Sequence, residues 1–435
     1  MFLDDGLGGA NNFAEARKVS DVVRTDLIQC GFLISESKSQ WCPQQNIQWL
    51  GLKWDFSKGN VYVSDSRIVK LIQDINMILD QIGQNELIKV RTVANIVGQV
   101  ISMQPGIGKL ALLRTRELHK VVNSRASWNA PVVVGQSAIS ELRFWQNSSN
   151  FNFGMSVKHK FEFDYNIFSD ASGYGYGGYI NESNQEFVGH WSVCESNQSS
   201  TWRELEAMKR VLFSCGRDLE GYTLRWYTDC KNVVSIVEKG SGNEILQSKS
   251  LEINKFCSEG DIKVIPVWMA RECNQKADRL SRQSDKDDWQ IDDFMFHKLD
   301  NMFGPHTFDR FSNEYNAKCC KFNSKVWCPY TSGVDAFSTS WSGENNWLVP
   351  PPHLVSSTID KIINEQLKEC TLVVPVWVSA PYWPKIHDGS SFLKYIVRQE
   401  MFSAKHIRKG YGKNGIFGSK KVEFNMIALK INCMT

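Results

Sequence analysis

Near residue 161 the hydrophobic pattern of this 435-residue chain changes period, and that change leaves few folds open. From there on, "KFEFDYNIFSDAS", "GYGYGGYI" and "EFVGHWS" follow one another as three runs of strand character. Helix and strand then take turns. "STWRELEAMKRVLFSC" reads as a helix, "LRWYTDC" as a strand, "KNVVSIVEKG" and "EILQSKSLEINKFCSEG" as helices, "IKVIPVWMA" as a strand and "NQKADRLSR" as a closing helix. Strands in direct succession pair antiparallel, whereas strands separated by helices pair parallel. The expectation is a mixed sheet flanked by helices.

Four carboxylates stand out in this region. Asp170 ends the first strand, Asp229 ends the fourth, Glu204 lies on the first helix and Asp278 on the last. A sheet with helices packed on it can bring strand ends and helix faces to one point. Four carboxylates at one point need counter-charge, and two divalent cations supply it, clamping the attacking and leaving oxygens of an in-line phosphodiester displacement. Periodicity selects the glutamate. Glu204 shares the stripe of Ala207, Met208, Val211 and Cys215, the face a helix buries. Glu206 lies off that stripe with Lys209 and Arg210 at i+3 and i+4, which predicts a solvated ion pair.

The flanking regions have other patterns. Residues 13–30 carry apolar positions at helical spacing, including Ala16, Val19, Val22, Val23 and Leu27, with Gly31 as a stop. "GFLISESKSQW" and "NIQWLGLKWDF" read as strands. Residues 64–147 read as four helices: "DSRIVKLIQDINMILDQIG", "KVRTVANIVGQVISM", "GIGKLALLRTRELHKVV" and "SAISELRFWQN". The stretch "SSNFNFG" marks a linker, and "QSDKDDWQ" a charged link into a third region. The tail from 389 is rich in Lys, Arg and Gly, so it is either a phosphate-contacting segment or an unstructured extension.

Net charge is only +3, so no global field points to a polyanionic partner. The 12 cysteines form no Cys-x-x-Cys pair, which argues for reduced thiols in an intracellular protein, cytoplasmic or nuclear, and against structural zinc. No apolar run is long enough to span a bilayer and no signal peptide is visible. At the start, "MFLDDGLGGA" sets Asp4 beside Asp5 with no basic neighbour. Such a pair is either solvated in a turn or shares a metal ion.

The motifs "SDASGYGYGG", "WRELEAM", "YTDC" and "NQKADRLSR" resemble, in order and spacing, the four acidic motifs of a retroelement ribonuclease H. The resemblance implies that Asp170, Glu204, Asp229 and Asp278 bind two magnesium ions, for which manganese can substitute. It also sets Trp268 about where many such enzymes carry a histidine. "FLDD" resembles the metal-binding hairpin of a reverse-transcriptase palm, so Asp4 and Asp5 become metal ligands. "GFLISESKS" resembles the next palm motif, whose lysine, Lys38 here, protonates the pyrophosphate leaving group. "WLGLKWDF" resembles the hairpin that grips the primer end. Farther on, "FGPHTFDRFSNEYNAKCCKFNS", "VDAFSTSW", "ENNWLVPPP" and "LVVPVWVSAPYWP" resemble the segment after ribonuclease H in DIRS-type retrotransposon polyproteins, itself similar to phage-type adenine-N6 DNA methyltransferases. Those enzymes hold the target amino group with an Asn/Asp-Pro-Pro-aromatic motif. Here the run is Val349, Pro350, Pro351, Pro352, or one residue on to His353, and no Gly-rich donor loop accompanies it, so the region reads as degenerate.

Together these readings predict an α/β and α+β multidomain chain. A palm remnant takes 1–56, thumb and connection helices 57–150, ribonuclease H 160–285, a methyltransferase-like α/β region 288–388 and a basic tail 389–435. The expected function is metal-dependent cleavage of RNA in RNA–DNA hybrids by a fragment of a retrotransposon reverse transcriptase. RNA template and DNA primer are further partners, and no membrane is involved. The resemblance puts the third palm carboxylate upstream of Met1, so the polymerase site is expected to be incomplete. The competing readings are a nuclease-only protein, a DNA methyltransferase, and a non-catalytic nucleic-acid-binding relic.

Overall fold

The computed structural model describes residues 6–151, 154–157, 162–283, 289–409 and 424–434. The chain divides into two compact units, Met1–Glu162 with Ser235–Leu251, and Phe163–Val234 with Glu252–Thr435. Asp4 and Asp5 lie outside the described residues. Among the described residues no helix is long and apolar enough to cross a membrane.

In the first unit a helix spans Phe13–Gln29, capped by Asn12, whose side chain accepts from the Glu15 amide. It forms where the apolar spacing predicts it, yet no residue of this helix is buried. Residues 31–45 hold no strand, in contrast to the expectation for "GFLISESKSQW", and Lys38 is exposed in a turn. A meander follows, Asn46–Trp49, Leu52–Asp55 and Asn60–Val63, with Met155–Ser156 added at its edge. Helices Asp65–Gly83, Val90–Ser102 and Gln136–Gln146 form where periodicity predicts them. They meet in a core that includes Leu71, Ile75, Ile96, Val100, Leu142 and Trp145. The helix expected over "GIGKLALLRTRELHKVV" is instead broken into Gln104–Ile107, Leu110–Leu113 and Arg116–Asn123. The first break falls where Gly108 takes a left-handed φ of 62° that no helix continues through, and the second at Arg114 and Thr115, whose backbone leaves the helical region.

Among the described residues the second unit holds two large sheets and a two-stranded pair of Trp289–Ile291 with Ile407–Lys409. The first contains β1 (Tyr165–Ala171), β2 (Gly175–Ile180), β3 (Glu186–His190), β4 (Thr223–Thr228) and β5 (Lys263–Trp268) in the order β5-β4-β1-β2-β3. Pairs β1–β2 and β2–β3 are antiparallel, whereas β1–β4 and β4–β5 are parallel. This is the mixed sheet that the period change predicts. Helix α1 (Ser200–Cys215) and helix α2 (Gln275–Ser281) pack against β2. The glycines of "GYGYGG" permit this. A Cβ on Gly177 would lie 2.4 Å from the Ser281 amide nitrogen, and one on Gly178 would lie 2.6 Å from Val211 Cγ2. Two helices can thus press close to one strand, each bringing a carboxylate with it.

The second sheet has, among the described residues, seven strands: β6 (Phe308–Asp309), β7 (Lys321–Ser324), β8 (Gly333–Val334), β9 (Asn346–Leu348), β10 (Cys370–Pro375), β11 (Ile396–Ser403) and β12 (Asn425–Ile431). Their order is β8-β7-β6-β9-β10-β12-β11, parallel from β8 to β10, with β12 antiparallel to both of its neighbours. The segment read as a basic tail therefore supplies two strands of this sheet. The apolar run "NMIALKI" explains it, because buried Met426, Ile427, Ala428 and Leu429 fill the slot beside β10. The order in which strands are added reverses between the parallel strands β6 and β9, so the crevice at their carboxyl ends is the topological switch point.

Candidate active site

Register builds the site. Phe168 on β1 pairs with Tyr227 on the parallel strand β4. Two residues beyond that pair each strand places an aspartate, Asp170 and Asp229, at the same carboxyl end of the sheet. Glu204 reaches them from α1. Ligand oxygens of Asp170, Glu204 and Asp229 lie within 4.8 Å of one another. Asp170 and Glu204 are buried and Asp229 is half-buried.

Burial raises the Asp170 pKa, and the neighbouring Asp229 and Asp278 charges add to this, while a hydrogen bond from Ser281 opposes it. Glu204 is pushed well above the ordinary range by burial first, then by Asp170 and Asp229. Its Oε2 is buried without a hydrogen-bond partner. An orphaned carboxylate oxygen beside two more carboxylates is costly in a protein interior unless a cation meets it. Hard oxygen donors in this number suit a divalent cation of the magnesium or calcium class. The residues present therefore fit such an ion.

Asp278 is not part of this triad. Its carboxylate is held by Arg282 at 2.9 Å and by Arg271 at 2.9 Å, on the rim of the site. The Arg282 hydrogen bond, with help from Arg271, lowers its pKa. Lys38 belongs to the other compact unit.

Glu206 requires a correction. It is expected in solvent, but it is 2% exposed and accepts from Arg210 Nε at 2.9 Å, with Lys209 Nζ at 3.5 Å. The i+3 and i+4 pairing is present, but it is buried because a second covered face runs along α1.

Two supporting residues, Ser281 and Asn274, escape sequence reasoning. Ser281 Oγ donates to Asp170 Oδ2 at 2.7 Å, and Asn274 Nδ2 donates to the Ser169 carbonyl at 3.0 Å. These bonds tie α2 to the end of β1 and fix the Asp170 carboxylate. Trp268 Nε1 donates to the Asp229 carbonyl at 3.0 Å. Ser281 lies three residues after Asp278, so it shares a helix face with it, which is the signal that could have found it.

In the second sheet Asp309 ends β6 at the switch point. It accepts from the Phe311 and Lys318 amides at 3.3 and 3.0 Å, and burial pushes its pKa up to about 6. Val349 follows β9 and is buried.

Residues 279–414 match the family model of DNA N-6-adenine-methyltransferase (Dam), so a Dam-like domain occupies this part of the chain. Among solved structures the chain is similar to LC11-RNase H1 isolated from compost, at 22% identity over 27% of this chain and 91% of that one, with a TM-score of 0.24. It is similar to RNase H1 from the halophilic archaeon Halobacterium salinarum NRC-1 at 13% identity, covering 27% and 92% of the two chains, TM-score 0.22. It is also similar to the foamy viral protease-reverse transcriptase in complex with RNA/DNA hybrid, at 12% identity over 64% of this chain and 35% of that one, TM-score 0.30. The chain thus spans 35% of the length of the foamy viral protein. No curated protein matches. At these TM-scores what the chain does is read from its own residues.

Proposed function

We propose that this chain is a ribonuclease H-type endonuclease from a DIRS-type retrotransposon reverse transcriptase, cutting the RNA strand of RNA–DNA hybrids. The observation that carries the reading is the convergence of Asp170, Glu204 and Asp229, with the Glu204 Oε2 left dry and unpaired. Magnesium ions, two when bound, would be held by these three carboxylates with Asp278 at the rim, and they supply the charge that stabilises attacking and leaving oxygens. Manganese substitutes.

The chain's own residues do the rest. Ser281 and Asn274 hold Asp170 at its angle, and Trp268 fixes the backbone of Asp229. Arg271 and Arg282 are more than half exposed. Their guanidinium groups face the solvent beside the carboxylates, where strand phosphates would pass, and they can share donors between Asp278 and phosphate oxygen. Discrimination for RNA comes from the 2′-hydroxyls of the attacked strand.

Under this reading residues 57–150 are thumb and connection helices, 1–56 a palm remnant with Asp4, Asp5 and Lys38 its polymerase remnants, and 160–285 the nuclease. RNA template and DNA primer are the matching partners of the first unit. The Dam-like domain is degenerate. Val349 stands where an amino group would be held and offers neither donor nor acceptor side-chain atoms. The test is a hybrid labelled on its RNA strand, incubated with the chain in magnesium beside double-stranded DNA. Cut RNA with intact DNA supports the reading. No cleavage in magnesium or manganese leaves a non-catalytic nucleic-acid-binding relic.

A further inference from the structure

We propose that the Dam-like domain is a brace for the helix that carries Glu204, and that it positions this carboxylate rather than transferring a methyl group. Helix α1 has two stripes. Glu204, Ala207, Met208 and Val211 face the sheet. Glu206, Lys209, Arg210 and Phe213 repeat at offsets of three, four and seven, which is again the spacing of a single helix face. Such a charged stripe ordinarily lies in water. Here Glu206, Lys209 and Arg210 are all buried.

Part of the cover is local, with Glu252 2.7 Å from Lys209, Phe256 stacked on Phe213, and the Tyr176 and Trp191 rings against Arg210, and the rest comes from the Dam-like domain. The Trp327 amide donates to Ser214 Oγ at 2.8 Å. The Trp327 ring meets Phe213 edge-on with centroids 5.0 Å apart, and Lys209 Nζ lies 5.0 Å from the Trp327 centroid. Glu314 brings a carboxylate 3.8 Å from Arg210, whose guanidinium is also paired with Glu206 and Glu195. Tyr315 donates its hydroxyl to the His190 carbonyl at 2.8 Å, tying the same loop to β3.

The consequence for the site follows from helix geometry. Arg210 is six residues from Glu204, about 9 Å along one rigid rod. With Val211 pressed on Gly178 from one side and Trp327 and Glu314 on the other, α1 is held on two sides. Its phase, and with it the reach of Glu204 toward Asp170 and Asp229, is set by both contacts. A buried ion group that loses one side of its cover must open to water, because charged groups left in an apolar gap are costly. The helix then moves. Glu314, Tyr315 and Trp327 are positioning residues that act through α1. The brace stands whether or not the site is a nuclease, and only its effect on turnover rests on the proposed function.

The test uses the full chain with Trp327→Ala, and Trp327→Phe as the conservative variant. Amide hydrogen exchange is followed in residues 206–214, and Mn2+ alone is titrated by the loss of its paramagnetic resonance signal. Expected for Trp327→Ala are at least tenfold faster exchange in that segment and several-fold weaker Mn2+ binding. Turnover should fall while KM for the hybrid stays near wild type, and Trp327→Phe should restore most of each. If Trp327→Ala does not fold, Glu314→Gln keeps shape and removes one charge, and it should raise exchange in the same segment about threefold. Unchanged exchange and unchanged Mn2+ affinity in a folded variant would overturn the proposal. If exchange and Mn2+ affinity shift but the wild-type chain cleaves nothing, the brace holds and the nuclease reading fails.

Discussion

A single methyl group at Gly177 should disable the site from its far side. Gly177 pairs with Asp170 across β1 and β2 and lies under the last turn of α2. A Cβ built there falls 2.4 Å from Ser281 N and 2.5 Å from Leu280 Cβ, against backbone that cannot rotate away. Ordinary contact is about 3.5 Å, so α2 must retreat by roughly 1 Å. The Ser281 Oγ bond to Asp170, 2.7 Å long, then stretches beyond hydrogen-bond reach. Overpacking of this kind costs about 1–3 kcal/mol. At roughly 2–4 °C per kcal/mol for a unit of this size, Gly177→Ala should lower the midpoint of thermal unfolding by several degrees. A misplacement of about 1 Å at reacting groups is worth roughly a hundredfold in rate. Gly173 is the control, since nothing lies within 4 Å of a Cβ there and its φ is ordinary. Thermal unfolding by circular dichroism and hybrid cleavage at a temperature where both variants are folded are the assays. If Gly177→Ala keeps wild-type stability and rate while α2 stays in place, close packing does not set Asp170, and the reasoning fails.

Further outcomes can be checked independently. Glu141 accepts from the Glu117 and Leu118 amides at 3.1 and 3.0 Å, and burial pushes its pKa up to about 7. A raised carboxyl contributes stability that is complete below its unfolded value and is lost as pH rises through 7, an effect of roughly 3 kcal/mol. Chemical unfolding at pH 5 and 8 should show a fall in stability that is steeper in wild type than in Glu141→Gln by about this amount, and equal falls in the two refute the assignment. Labelled S-adenosylmethionine with DNA should give no N6-methyladenine, and label in adenine would show that Val349 before Pro350 still permits transfer.

How far the sequence could be read follows from where each constraint lies. Asp170, Glu204 and Asp229 were legible because strand ends and a helix stripe are local patterns, and register converts them into a site. Glu206 was misread because the stripe it shares with Lys209 and Arg210 is covered by residues distant in sequence, Tyr176, Trp191 and Glu252 on one hand and Glu314 and Trp327 on the other, and no period within α1 reports a distant partner. The strand at Asn425–Ile431 was hidden by the basic stretch before it, whose charge dominated the reading of the tail. The helix broken at Gly108 shows the opposite limit, since apolar spacing continued past a residue whose backbone could turn out of the helix. On the helix Phe13–Gln29 the stripe was real but covers no core, because amphipathic spacing shows only that a face can be buried.

The central claim is that the three carboxylates hold the metal on which cleavage depends. It is tested most directly by cleavage of an RNA-labelled hybrid by wild type and by Asp229→Asn, side by side in magnesium, with hybrid binding measured on the same samples. Asparagine keeps the shape and removes one charge that the ions require, so cleavage should fall by orders of magnitude, while binding, carried by Lys and Arg contacts to phosphates, should largely survive. Equal cleavage by Asp229→Asn would contradict the account.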